Sequence, residues 1–421
     1  MNYLRLGGKS DVLSSADLKA GLYSALDELG EKKRVLVVPP DITRFHSRAG
    51  ELTEMVFAYY GKSLAAVLPA LGTHRPMTAA EMRRMYGSVP VELFREHDWR
   101  EGVVTLGEVP GEFVAEISEG RVAFPWPAQV AKLLIEGDFD LILSIGQVVP
   151  HEVVGMANYN KNIFVGTGGP EGINKSHFLG AVFGMERMMG RADTPVRRVL
   201  DYASEHFAAD LPIVYVHTVV ESVEGGPATR GLFIGDDRDC FERAAQLSLE
   251  VNVKMLDEPL ERVVVWLSPE EFQTTWLGNK SIYRTRMAMA DGGEIVVLAP
   301  GLAAFGEDRE IDRLIRKYGY VGADKVLELT DEHEELRANL SAAAHLIHGS
   351  SEGRFKILYC PGRLTRTEIE SVNFEYRDLD GMMARYDPRK LADGFNTVNG
   401  EDVYYVSNPG MGLWSWRERF G

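Results

Sequence analysis

The sequence predicts an α/β protein of two domains, each built on a mostly parallel sheet. Unbroken runs of Val, Ile and Leu, without alternating polar residues, are typical of strands that are buried on both faces of a parallel sheet. Amphipathic segments of helical length lie between these runs. The chain has 421 residues, more than a single hydrophobic core usually organises, and this length favours two domains.

The first domain is expected to occupy residues 1–270. Its apolar runs are interrupted by stretches with helical spacing, which is the pattern of a doubly wound fold. The predicted strands are 34–38, 64–68, 141–145, 213–219 and 262–267, and the predicted helical segments are 51–60, 128–136 and 241–251.

The second domain is expected over residues 271–421, although the tail after about residue 400 could return to the first domain. Its predicted elements are a helix at 279–290, a turn at 291–293, a strand at 294–298, helices at 310–318 and 334–348, and strands at 356–360 and 403–406. Because a cleft between two such domains is a favoured ligand site, we expect the active site in the interdomain cleft.

Composition restricts the classes of partner. The formal net charge is −16, which argues against nucleic acid and anionic membranes because both require a basic surface. No apolar run reaches the roughly 20 residues of a membrane helix, and the N-terminus lacks the apolar core of a signal peptide. We therefore expect a cytoplasmic protein that acts on a small molecule. Cys240 and Cys360 match no metal or redox spacing and are expected to be buried thiols. No sequence feature indicates an oligomeric state.

Polar segments follow two of the predicted strands. Asp41-Ile-Thr-Arg44 comes after strand 34–38, and His74-Arg75-Pro76 comes after strand 64–68. In open parallel sheets, ligands bind at the carboxyl ends of the strands. Arginine can hold a carboxylate or phosphate there in a two-pronged fork, so an anionic small-molecule substrate is expected. The alternative for the first segment is a helix cap, since Asp and Thr both cap well.

A third polar region begins at His151, after strand 141–145. An imidazole can act as acid or base near neutral pH. The Gly- and Asn-rich stretch 155–172 carries Lys161 but lacks the spacing of an ATP or dinucleotide fingerprint, and His177 follows it. Three histidines could also hold a catalytic zinc, which leaves a zinc-type hydrolase as an alternative. A non-catalytic protein that binds a cofactor or an organic acid is a further one.

Together these segments resemble the lactate racemase family, whose members carry a nickel-pincer nucleotide derived from nicotinic acid. Asp41-Ile-Thr-Arg44 is similar to the family's Asp-x-Thr-Arg motif, and Thr73-His-Arg-Pro76 to its His-Arg-Pro turn. His151, Lys161 and His177 are similar to its acid/base histidine, cofactor-anchoring lysine and nickel-binding histidine, with the same spacing.

The resemblance implies a 2-hydroxyacid racemase or epimerase that uses hydride transfer at C2. His74 and His151 would be the acid/base pair, Lys161 would anchor the cofactor, and His177 would bind nickel. Asp41, Thr43 and Arg44 would hold the cofactor, and Arg75 would orient the substrate carboxylate.

The second domain departs from the lactate enzymes, which carry a glutamine and a lysine on its opening helix. Here the stretch 279–286 offers Lys280, Tyr283, Arg284 and Arg286 as substrate-binding residues. With His345, His348, Ser350, Ser351 and Glu352 they would form a polar lining, which suits a sugar acid such as gluconate. Malate is the alternative because of the arginines, and a lactate-type short hydroxyacid is less suited, because its methyl group would leave polar groups unpaired.

Overall fold

The computed structural model describes residues 1–223 and 226–420, and the side chain of Met411 lies outside that description. The chain forms two compact units. The first comprises Met1–Leu179 and Met188–Asn252, and the second comprises Gly180–Arg187 and Val253–Gly421.

The chain up to Asn252 forms the six-stranded sheet of the first unit, two smaller two-stranded sheets and the helices around them. The strands are β1 (Asn2–Gly7), β2 (Val35–Val38), β3 (Leu64–Val67), β4 (Val103–Val109), β5 (Trp126–Ala131), β6 (Leu141–Gln147), β7 (Pro150–His151), β8 (Gly155–Met156), β9 (Ile213–Val223) and β10 (Gly226–Gly235). The α-helices are α1 (Ser15–Leu29), α2 (Ala49–Tyr60), α3 (Ala79–Tyr86), α4 (Gly111–Ile117), α5 (Lys132–Glu136), α6 (Asn160–Phe164), α7 (Pro170–Phe183), α8 (Met185–Met188), α9 (Pro195–Phe207) and α10 (Arg238–Asn252). The 3-10 helices are Ile42–Ser47, Gly61–Ser63 and Val91–Leu93.

The six-stranded sheet of the first unit has the order β1-β10-β9-β6-β2-β3. The pairs β9–β6, β6–β2 and β2–β3 are parallel, and the pairs that join β1, β10 and β9 are antiparallel. All four residues of β2 are buried, as the unbroken apolar run predicts. The carboxyl ends of β2, β3 and β6 therefore lie side by side at one edge.

The rest of the chain contains the elements of the second sheet. The strands are β11 (Val253–Leu256), β12 (Leu260–Trp266), β13 (Met289–Ala299), β14 (Lys356–Pro361), β15 (Glu375–Tyr376), β16 (Gly394–Val398), β17 (Glu401–Val406) and β18 (Leu413–Trp416). The helices are α11 (Thr275–Gly278), α12 (Lys280–Tyr283), α13 (Arg309–Tyr318), α14 (Ala323–Glu332), α15 (Glu334–Arg337), α16 (Leu340–His348), α17 (Arg366–Ser371), α18 (Leu379–Arg385) and α19 (Arg417–Phe420), with a 3-10 helix at Pro409–Met411. The sheet order is β15-β14-β13-β12-β17-β16, and every pair except β16–β17 is parallel. The predicted α/β class with mostly parallel sheets is confirmed.

The units divide at Asn252 and Val253, earlier than the boundary near residue 270 that we predicted. The physical reason is that β12 pairs with β13 and β17 and so belongs to the second sheet. The tail does not return to the first unit, because β17 pairs with β12 and β18 pairs with β11.

Several predicted elements differ from those observed. Residues 128–136 are half strand and half helix, because β5 pairs with β4 before α5 begins. The predicted helix 279–290 is one short turn of helix followed by β13, which also includes the expected turn 291–293. The predicted helix 334–348 is interrupted between α15 and α16.

Candidate active site

Three polar loops meet where β2, β3 and β6 end. A hydrogen bond from Ala70 N–H to the carbonyl of Pro39 (2.7 Å) joins the loops after β2 and β3. The Gly-rich stretch is attached to the same edge, since Gly72 N–H donates to Gly166 O at 2.8 Å. The side-chain amide of Asn162 donates to Val38 O (2.9 Å), at the end of β2. The sheet thus brings the sequence-predicted segments of the first unit together.

Asp41 is the best-partnered residue of this edge. Its carboxylate caps the 3-10 helix that follows, accepting from Thr43 N–H (3.1 Å) and from the Thr43 hydroxyl. Its other oxygen accepts from His74 Nδ1–H at 2.7 Å. Burial raises the pKa of Asp41, but the hydrogen bonds from His74 and Thr43 outweigh it and hold that pKa below its usual range. Asp41 therefore caps the helix that follows it, which was the alternative predicted for this segment, and also connects the loop after β2 to the loop after β3.

His74 is oriented by this bond. Because Nδ1 carries the hydrogen that Asp41 accepts, the neutral ring presents the lone pair of Nε2. The side chain is 58% exposed, so Nε2 can reach a small molecule. A carboxylate that fixes the tautomer and orientation of a histidine is a recurring arrangement around catalytic bases.

His151 is in the opposite tautomeric state. Its Nδ1 accepts a hydrogen bond from Val153 N–H (3.1 Å), so the neutral ring carries its hydrogen on Nε2. Burial lowers the pKa of His151 well below its usual value; the negative charge of Glu152 opposes this, and Lys161, Arg44 and His177 lower the pKa further. His151 is therefore neutral near pH 7 and surrounded by the other predicted groups.

Lys161 lies on α6, directly after the loop that follows β8. Burial lowers the pKa of its amine to about 8, and the positive charge of Arg44 acts in the same direction. Glu152 and Asp41 act against this shift. A lysine with a lowered pKa has a larger neutral fraction, which is the form that reacts as a nucleophile.

His177 lies on α7 with one ring nitrogen used and the other presented. Its Nδ1–H donates to the carbonyl of Ile173 at 2.7 Å, which leaves the lone pair on Nε2. A backbone carbonyl that holds one nitrogen of a histidine is the usual partner of a metal-bound imidazole. Burial lowers the pKa of His177 and Lys161 lowers it further, which keeps the ring neutral, while the Ile173 carbonyl opposes that shift. These donor properties fit a metal ligand.

The two predicted arginines of this unit have different surroundings. Arg44 is exposed, and its charge acts on both His151 and Lys161. Arg75 forms an ion pair with Glu81, with distances of 2.5 and 3.0 Å, and its side chain is 67% exposed. Arg75 is thus held by α3, whereas Arg44 belongs to the cluster around Lys161.

In the second unit, the four predicted residues are only partly suited to bind substrate. Arg286 is buried and donates to Glu186 (3.2 Å) and to Ser350 O (3.1 Å), so its guanidinium is bound by groups of the same unit. Tyr283 and Arg284 are buried, and Lys280 lies 5.8 Å from the ring centre of Phe272.

Two of the remaining predicted lining residues, Glu352 and His345, have partners within this unit. The Glu352 carboxylate accepts from Ala323 N–H (3.1 Å to each oxygen), so it caps α14. His345 packs against Trp276 and accepts from the Tyr320 hydroxyl (3.0 Å) or donates to it. Burial lowers the pKa of His345 to about 3, and the charge of His348 adds to this.

Sequence reasoning missed several residues that shape the site. Glu152 acts on the pKa of His151, Lys161 and His177. Asn162 fixes α6 to the strand ends, and Asn158, Asn160 and Arg197 form a buried network beneath Lys161. The density of asparagines in 155–172 was the available signal, because buried amides need partners.

Comparisons with known proteins agree with this geometry. The lactate racemase N-terminal domain matches residues 22–189, a range that includes Asp41, His74, His151, Lys161 and His177. The protein is thus of the class that carries this domain. Residues 22–189 are thus similar to the N-terminal domain of lactate racemases.

Two solved structures resemble the whole chain. A crystal structure of a protein from Thermotoga maritima is 27% identical, covers 98% of this chain and 100% of its own, and has a TM-score of 0.80. The lactate racemase apoprotein from Thermoanaerobacterium thermosaccharolyticum is 17% identical, covers 98% of this chain and 94% of its own, and has a TM-score of 0.71; this likeness shows the fold. No curated protein matches the chain in sequence.

Within 1–223 and 226–420, no three His, Cys, Asp or Glu side chains converge as a metal-binding group. Among the helices of these ranges, none has both the length and the apolar character needed to cross a bilayer.

Proposed function

We propose that the protein is a racemase or epimerase that inverts C2 of a 2-hydroxyacid with a nickel-pincer nucleotide as cofactor. The observation that carries the proposal is the convergence of His151, Lys161 and His177, with Arg44, at the carboxyl edge of one sheet. The match of residues 22–189 to the lactate racemase N-terminal domain supports the same reaction class.

The residues present fit the cofactor. Lys161 would attach it, since its amine is partly neutral near pH 8. His177 would bind nickel through Nε2, the nitrogen left with a lone pair. One imidazole suffices where the cofactor brings its own sulfur and carbon donors, and Ni(II) suits such a planar set. When bound, the cofactor would accept a hydride from C2 of the substrate and return it.

The two other histidines would move the hydroxyl proton. His74 Nε2, with its lone pair, takes the proton of the substrate hydroxyl as C2 loses hydride, which leaves a planar 2-oxoacid. His151 would donate a proton to the oxygen when hydride returns to the opposite face. This step requires the imidazolium form of His151, because a neutral ring that lost its single hydrogen would be left as an imidazolate. Each enantiomer presents its hydroxyl to a different histidine, so both are needed for inversion. Asp41 holds His74 in the tautomer that can act as base.

For the substrate, we propose a 2-hydroxyacid with additional polar groups, a sugar acid such as gluconate or a dicarboxylate such as malate. The stretch 279–286 supports this, because Lys280 and Arg284 are cations of the kind that bind hydroxyl and carboxylate groups. Glu352 gives no preference for hydroxyl groups, since its carboxylate caps α14. The choice between gluconate and malate therefore depends on assay.

The cofactor part is tested on protein produced together with the cofactor pathway. We expect a mass adduct on the tryptic peptide of Lys161, and nickel content that His177→Ala lowers while His206→Ala does not. His206 is an exposed histidine of α9 and serves as the matched control. An adduct on another residue, or zinc in place of nickel, would overturn the assignment.

The reaction is tested on the nickel-loaded protein with both isomers of gluconate, malate and lactate, without added NAD. We expect His74→Gln and His151→Gln each to lower the rate by about 10² to 10⁴ in both directions, the usual effect of losing a placed acid or base. Normal turnover in His74→Gln would refute the two-histidine scheme, and the highest kcat/KM on lactate would refute the polar substrate. No turnover of any hydroxyacid by loaded protein would favour a non-catalytic role.

A further inference from the structure

A buried arginine lies beneath the loop that carries Lys161. Arg197, on α9, has no exposed surface. Its guanidinium donates to Met156 O at 2.6 Å, to Asn158 O at 3.3 Å and to the side-chain oxygen of Asn160. Three alternate residues, from the end of β8 to the start of α6, are thus bound to a single side chain.

The loop has an unusual backbone at this point. Asn158 and Tyr159 have φ values of 66° and 58°, in the left-handed region that residues other than glycine rarely adopt. Tyr159 is the residue before α6, and Lys161 is the second residue of that helix. The two left-handed residues therefore determine the direction in which α6 leaves the loop, and with it the place of the Lys161 amine.

Burial of Arg197 is energetically unfavourable, so stability alone does not explain its presence. A fully buried guanidinium loses its hydration, and an apolar side chain of similar volume usually stabilises a core at least as well. The charge is compensated by the carboxylate of Asp201, by carbonyl oxygens and by the rings of Phe241 and Tyr159, at 4.4 and 5.6 Å from the guanidinium carbon. Carbonyl groups of the loop can be gathered in this way only by a side chain with several donors.

The far side of α6 is also fixed. Asn162 donates to Val38 O and to the Ser144 hydroxyl (3.1 Å), and Asn160 donates to Asp201 at 2.7 Å. Asn158 donates to Gly146 O (2.8 Å). Arg197 is the one side chain that binds three residues of the strained segment, Met156, Asn158 and Asn160, among the hydrogen bonds of the described chain.

We propose that Arg197 is a positioning residue for Lys161: its guanidinium holds the loop in the left-handed conformation that presents the lysine amine to the site. This inference rests on the proposed function only for the chemical use of Lys161. The positioning itself is a property of the empty protein and can be tested without cofactor.

The first measurement is hydrogen exchange in the cofactor-free full chain. In Arg197→Met we expect the peptide over 155–166 to exchange at least about tenfold faster, the factor that the loss of one charge-assisted hydrogen bond produces. Peptides from β2 and β6 should exchange as in the wild type. Arg197→Lys, which keeps a charge and fewer donors, should lie between the two. Arg198→Met is the matched control, because Arg198 is 51% exposed and pairs with Asp193.

The second measurement is the fraction of protein with the Lys161 adduct after production with the cofactor pathway. We expect this fraction to fall in Arg197→Met, to recover in part in Arg197→Lys and to stay normal in Arg198→Met. Faster exchange throughout the first unit, or unchanged exchange and adduct in folded Arg197→Met, would overturn the proposal.

If Arg197→Met does not fold, the same two measurements on Asn160→Ala test the role of Arg197. This substitution removes one acceptor of the guanidinium and leaves the arginine in place. If wild-type protein carries no adduct, the proposed anchor fails, while local exchange still decides the role of Arg197.

Discussion

At the scale of residues, the positions of Asp41 and His74 could be predicted from the sequence, but the contact between them could not. The strand runs before them predict that both lie at one sheet edge, and the structure places them there. Their 2.7 Å hydrogen bond could not be predicted, because it depends on the path of two loops with no regular spacing. The sequence assigned Asp41 to the cofactor, and the bond to His74 suggests a second role.

Asp41→Asn separates these roles. An amide in this place can present a donor to His74 Nδ1 and favour the wrong tautomer, so we expect kcat to fall by about 10² or more. Nickel content and the Lys161 adduct should be unchanged, as measured by metal analysis and peptide mass. Loss of the cofactor with a normal rate per bound nickel would instead support a cofactor-binding Asp41.

At the scale of elements, long apolar strands were predicted well and short paired elements were not. β2 is apolar throughout, and β6 and β14 are built mainly on the apolar runs 141–143 and 357–360, whose composition favours burial. Residues 128–136 contain a similar apolar pattern, yet pairing with β4 makes the first part a strand. That pairing joins residues far apart in sequence, which local periodicity does not encode.

The cap of α14 gives a prediction at this scale. Glu352 accepts from the first N–H of the helix, whose own N-cap residue is Gly322 and provides no side chain. Glu352→Ala should therefore lower the free energy of unfolding by about 1 kcal/mol, the usual value of a lost cap, as measured by urea denaturation. KM should stay unchanged for every substrate that turns over. A higher KM with normal stability would return Glu352 to the substrate site.

At the scale of the whole molecule, ion pairs rather than the net charge of −16 determine the response to acid. Hydrogen bonds to Arg75 and Thr78 lower the pKa of Glu81 to about 2, and bonds to Lys317, Tyr318 and Arg313 lower that of Glu335 to about 2. A carboxylate whose pKa is lower in the folded state contributes stability above its unfolded pKa, and this stability is lost as the pH falls through the folded value.

We therefore expect the melting temperature to fall as the pH decreases from about 4.5 to 2, the interval between the unfolded and folded pKa values of glutamate. Glu335→Gln should show a smaller acid-induced fall than the wild type, as followed by circular dichroism. Identical acid profiles would show that Glu335 has the same pKa in both states.

The second unit also contains an ion cluster around Glu186. Its carboxylate binds Arg354 and Arg286, and Arg419 lies at 3.7 Å. Arg286 is 4% exposed, so removing its partner leaves a buried charge. We expect Glu186→Gln to lower the free energy of unfolding by about 2 kcal/mol, less than for a fully buried pair. Glu171 pairs with Lys175 and is 55% exposed. In urea denaturation Glu171→Gln should change the free energy of unfolding by less than about 0.5 kcal/mol. Equal effects of both substitutions would contradict this.

The path of the chain through its two units has a consequence for synthesis on the ribosome. Glu186 is made 100 residues before Arg286 and 168 residues before Arg354. Translation proceeds at about 5 to 20 residues per second, so Arg286 is synthesised roughly 5 to 20 seconds after Glu186. The segment Gly180–Arg187 therefore lacks its partners in the second unit at the time when the first unit has been synthesised as far as Asn252. The ion cluster of the second unit can be complete only after Arg419 has been synthesised.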